Sequence, residues 1–114
     1  MPSIERTLVK SPPELWELVD DTELMGRWSA ELLRAPPHGG VRVVERHAGE
    51  RLVWDAQRAG DDVRVELDLA EKGWGTSVTI EVRGFVGHDE AADSTLERLL
   101  DELGSPQRQP FTRT

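Results

Sequence analysis

A chain of 114 residues with a net charge of −8 and no cysteine is bounded before any motif is read. The length fits one domain with a modest core, and the acidity disfavours phosphate backbones and anionic lipid, so neither nucleic acid nor membrane is an expected partner. The missing thiols exclude disulfides, thiolate catalysis and Cys-ligated metal, while no segment has the ~18–20 apolar residues of a membrane span.

The first residues, MPSIERTLVK, lack an apolar signal-peptide core, so a cytoplasmic protein is expected. Residues 4–9 alternate as a strand, with Ile4, Arg6 and Leu8 on one face. SPPELWELVD then opens a helix. Ser11 is the cap, Pro12 suits the first helical position and Glu14 completes a capping box. Leu15, Trp16 and Val19 are its buried stripe. Asp21 caps a second helix over TELMGRW, which Gly26 should limit to one or two turns. Residues 29–36, ahead of the Pro-Pro-His-Gly-Gly break, read as a third helical turn or an edge strand, and the break favours the strand.

Period two then takes over. Val41–His47, Arg51–Arg58, Val63–Leu69 and Ser77–Arg83 read as strands joined by turns at Ala48-Gly49-Glu50, Gly60-Asp61-Asp62 and Lys72-Gly73-Trp74-Gly75. Val63, Val65, Leu67 and Leu69 alternate strictly with Arg64, Glu66 and Asp68. Short strands in tight succession make an antiparallel meander.

Residues 89–103, DEAADSTLERLLDEL, form an amphipathic helix with Leu96, Leu99, Leu100 and Leu103 on one face. The expected fold is α+β: a curved antiparallel sheet of about six strands, two short helices after the first, wrapped around a long C-terminal helix. One domain spans residues 1–103. Residues 104–114 are a loosely held tail, with Phe111 as its anchor.

Chemistry-bearing patterns are sparse. No G-x-S-x-G elbow is present, and Ser11 is used as a cap. His38, His47 and His88 stand apart, so no metal is expected. Gly73-x-Gly75 precedes a strand rather than a helix, which makes it a turn and not a phosphate cradle. Asp20-Asp21 and Asp61-Asp62 fall where capping and turns explain them. No cofactor is called for. The four tryptophans remain: Trp16 reads as core, Trp28 as core or ligand wall, Trp54 as core or, if its face is concave, a wall whose indole N–H needs a partner, and Trp74 as the closure of a sheet end.

The stretch ERTLVKSPPELWELVDDTELMGRW, through Ser11, Pro12, Glu14, Leu15, Trp16, Val19, Asp21 and Trp28, resembles the START-like helix-grip superfamily, the SRPBCC or polyketide cyclase/dehydrase-like proteins. ERLVWDAQ, WGTSVTIEV and LERLLDEL resemble its later strands and closing helix, so the resemblance covers residues 4–103. It implies a small, bacterial-type domain that binds a hydrophobic or aromatic molecule between sheet and C-terminal helix. The implied wall is Trp28, Trp54, Leu67, Ile80, Leu96 and Leu100, with Arg6 either pairing a ligand carboxylate or, the favoured alternative, snorkelling to the rim. Two alternatives stand beside it. One is a polyketide cyclase-like enzyme using Arg6, Asp55 and His47. The other is a protein-interaction module with a filled core, like the activators of heat-shock-protein ATPase, for which a homodimer is a possible assembly. The chain is shorter than is common in that superfamily, and its connection into the last helix is brief. Both departures imply a smaller cavity, or none.

Overall fold

The structure is a computed structural model that describes residues 3–33, 40–58, 61–73, 75–84 and 89–104. The elements run β1 (Ser3–Leu8), α1 (Pro12–Val19), α2 (Thr22–Leu33), β2 (Val41–His47), β3 (Arg51–Arg58), β4 (Asp61–Lys72), β5 (Gly75–Arg83) and α3 (Asp89–Gly104). The strands form one open antiparallel sheet in the order β1-β5-β4-β3-β2. No described helix is long and apolar enough to cross a membrane.

The N-caps expected at the two helix starts are formed. Ser11 caps α1 and its Oγ accepts from Glu14 N at 3.4 Å, with proline in the first turn. Asp21 Oδ1 accepts from Glu23 N at 2.9 Å. Trp16 is only partly buried, so Leu15 and Val19 alone make the inner stripe of α1.

Two expectations about the next segment are corrected. The second helix has twelve residues instead of one or two turns, and residues 29–33 belong to it rather than to a strand. Residues 34–36 of that expected strand lie outside the described residues. The reason is a buried stripe at Met25, Trp28, Ser29 and Leu32, spaced as one helix face. Burial of that stripe outweighs the roughly 0.5–1 kcal/mol that Gly26 costs inside the helix. Among the described residues the sheet therefore has five strands, not about six.

Register sets the inner face in rows. Val41, Ala56 and Val63 lie side by side; next come Val43, Trp54, Val65 and Val82; then Leu52, Leu67, Ile80 and Ile4; then Leu69, Val78 and Arg6. A bulge on β2 inserts Val44 between Val43 and Glu45 and turns it outward. The helical layer over this face is shared. α2 packs on β2, β3 and β4, while α3 packs on β1 and α2. Arg98 with Glu31 and Arg27 with Glu102 tie α3 to α2 within the helical layer, and Arg6 with Asp101 ties β1 to α3 across the layers. Leu96, Leu99, Leu100 and Leu103 of α3 are buried in the core so enclosed.

Candidate functional site

The six apolar residues expected as a ligand wall all belong to one buried cluster. Trp28 is 1% exposed, and Trp54, Leu67, Ile80, Leu96 and Leu100 are 0% exposed. A side chain with no surface reachable by a water-sized sphere borders no water-sized void, so these residues are packed on protein atoms. The polar atoms among them are few. Trp54 Nε1 donates to Ser29 Oγ at 2.8 Å, a hydrogen bond from β3 to α2 wholly inside the core. Trp28 Nε1 is buried with no acceptor among the described residues. Arg6 sits on the inner face of β1, but its guanidinium is engaged by Asp101 of α3.

A cleft of about 810 Å³ opens at one end of the sheet. Its lining includes Val41, Ala56 and Val63, the outermost row of the inner face, one row from Trp54. It also includes Arg42, Asp55, Arg64 and Arg83, which the register places in a single row across β2, β3, β4 and β5 on the outer face. Asp55 holds this row together. Arg64 grips it with Nε and Nη2 at 2.7 and 3.0 Å, and Arg42 reaches it with Nη2 at 3.5 Å. The hydrogen bond from Arg64, with the charge of both guanidiniums, holds the Asp55 carboxyl below its ordinary range despite partial burial. Arg83 turns to Glu66 and Glu81 instead.

The outer face continues as an ion-pair lattice. Arg51 bonds Asp68, Glu66 and Glu45, which hold its guanidinium firmly protonated. His47 pairs with Glu45 beside a second cleft that Pro12, Pro13 and Glu71 help to line. The three residues named for an enzyme are thus not brought together. Arg6 is on the inner face of β1, Asp55 on the outer face of β3, and His47 about four residues further along the sheet, roughly 13 Å at strand spacing. His38, His88, Trp74 and Phe111 lie outside the described residues. Among the described residues no three His, Asp or Glu side chains are gathered as a metal site needs.

Sequence reasoning missed Ser29 and the arginine row. Ser29 carried a signal, since it falls four residues after Met25 on the helical stripe. Arg64 alternates with the apolar positions of its strand in the sequence, but only the pairing register aligns it with Arg42 and Arg83.

No protein-family profile matches the chain, and no curated protein resembles it in sequence. Solved structures do share its fold. CalU16 from Micromonospora echinospora superposes with a TM-score of 0.64 at 22% identity, covering 90% of this chain and 72% of that one. DynU16, from the dynemicin biosynthetic locus, gives 0.66 at 16% identity, and this chain spans less than half of it (90% and 45% covered). The Aha1 dimer of Colwellia psychrerythraea gives 0.64 at 11% identity, with 90% and 92% covered. At these identities the likeness is one of fold alone.

Proposed function

We propose that this chain binds a small apolar or aromatic molecule between its sheet and its helices, approached from the cleft at the sheet end. The observation that carries the reading is Trp28 Nε1, a buried N–H without an acceptor among the described residues. Leaving such a donor unpaired costs about 1–3 kcal/mol, and native cores rarely do so without a reason. A carbonyl, ether or hydroxyl oxygen of a bound molecule would supply the missing acceptor. The apolar surroundings of Trp54, Leu67, Ile80, Leu96 and Leu100 suit the rest of such a molecule. Because these side chains are closed on one another, admission requires α2 to part from β3, at the Ser29–Trp54 hydrogen bond. Intrinsic tryptophan emission and thermal midpoint across a panel of aromatic and acyl compounds test it. A compound that shifts both is the expected result; a panel that shifts neither sinks the reading.

The full burial of the same wall favours a second reading, an interaction module whose core is its own filling, acting as a homodimer. Native mass spectrometry separates the two. A co-purifying small mass supports ligand binding, and a bare dimer supports the module.

A further inference from the structure

We infer that the core site takes a neutral molecule whose polar group accepts hydrogen bonds and donates none, a ketone, ester or ether in preference to an alcohol or an acid, and that Trp28 of α2 sets this preference. The inference rests on the ligand-binding reading and narrows the class of molecule that the same site receives.

The polar side-chain atoms between sheet and helices are unequal in kind. Trp28, Ser29 and Trp54 are all buried. Together they carry three hydrogen-bond donors, two indole N–H groups and one hydroxyl, against a single oxygen that accepts. Trp54 Nε1 spends its proton on that oxygen, Ser29 Oγ, at 2.8 Å. Trp28 Nε1 has no acceptor among the described residues. Among those residues nothing takes the hydroxyl proton of Ser29 either, whose side chain makes only the bond received from Trp54. Two donors on consecutive residues of one helix are therefore left over, in a place that water does not reach.

That surplus discriminates between ligand head groups. A carbonyl or ether oxygen has lone pairs and no proton, so it answers a leftover donor and adds none. An alcohol brings a fourth donor into a core whose one oxygen already serves Trp54, and a buried donor left unpaired costs more than a hydrogen bond returns. A pocket rejects most strongly the ligand that leaves buried polar groups unpaired. An ionised acid or amine fares worse still. Every member of the core cluster is uncharged, and Arg6 on the inner face is engaged by Asp101. A buried charge without a counter-charge is far costlier than an unpaired dipole.

Calorimetric titration of the intact chain with benzophenone, benzhydrol and diphenylmethane, below their solubility limits, tests this. The three share two rings and differ in carrying a ketone, an alcohol or no oxygen. Benzophenone is expected to bind about fivefold tighter than benzhydrol, and Trp28→Phe should bring the ketone to the level of the alcohol. In the parent chain, benzophenone should move the Trp28 indole N–H proton resonance downfield, and diphenylmethane should not. That resonance keeps the test open if Trp28→Phe does not fold. Equal binding of ketone and alcohol, tighter binding of the alcohol, or a Trp28 resonance unmoved by bound ketone would overturn the acceptor preference while leaving the ligand-binding reading standing. A preference that survives Trp28→Phe would overturn the role given to Trp28. Binding of none of the three overturns this inference, and the tryptophan-emission panel then judges the broader reading separately.

Discussion

Trp54 Nε1 and Ser29 Oγ meet at 2.8 Å with both residues fully buried, and this one hydrogen bond pins α2 to the middle of β3. Ser29→Ala removes the acceptor and strands the indole donor, at an expected cost of about 1–3 kcal/mol in urea unfolding. Trp54→Phe removes the donor and opens space. In the double variant the two losses should be less than additive, because the second change finds no bond left to break. Strict additivity would show that the bond contributes nothing.

Two glycines should respond to alanine with opposite signs. A Cβ on Gly75 would lie 2.2 Å from the carbonyl oxygen of Leu8, where β1 meets β5. Backbone cannot yield as a side-chain tip can, so Gly75→Ala should push β1 off the sheet edge and cost about 1–3 kcal/mol or more. Gly26 has nothing within 4 Å and sits inside α2. Gly26→Ala should gain about 0.5–1 kcal/mol by stiffening the unfolded chain. Denaturant midpoints of the two variants decide both signs.

What was legible follows from how far each signal reaches. Val63 to Leu69 declared itself because every second side chain has the same environment, core on one face and ion pairs on the other. The segment after Trp28 did not. Its stripe contains a serine, and a polar residue at a core position hides the period until its partner Trp54, 25 residues away, is in view. Proline and glycine further on marked where an element ends but not its type. The candidate cleft was hidden for the same reason. Arg42, Arg64 and Arg83 become neighbours only through the pairings of β2, β3, β4 and β5, and the bulge at Val44 shifts the β2 register in a way that composition does not announce.

Asp55 gives the fold a defined acid sensitivity. Its carboxyl is held below the ordinary value, first by the hydrogen bond from Arg64. A lowered folded-state value means that the unfolded chain binds more protons across the interval between the two. The stabilisation is therefore complete above the ordinary carboxylate range and is lost as pH falls through the folded value. Asp55→Asn should lower stability at neutral pH, and the gap from the parent should close on acidification. It also leaves Arg64 facing Arg83 without its counter-ion. Urea midpoints measured against pH for both chains check this; a gap that stays constant into acid would refute the coupling.

Lys10 is a buried lysine with a structural task. Its Nζ donates to the carbonyl oxygen of Leu103 at 3.1 Å, and its own carbonyl accepts from Thr76 Oγ1 at 2.6 Å. α3 has no basic residue in its last turn. Lys10 thus brings from the end of β1 the positive charge that a helix C-terminus favours. Lys10→Met keeps most of the aliphatic stem while removing the donor and the charge. The expected loss is about 1–3 kcal/mol, concentrated at the end of α3 against Leu8 and Gly104. Amide exchange should accelerate across Leu99 to Leu103 and stay slow in β4 and β5. Acceleration spread evenly over both would mean that α3 opens only with the whole domain and that Lys10 does not hold it separately.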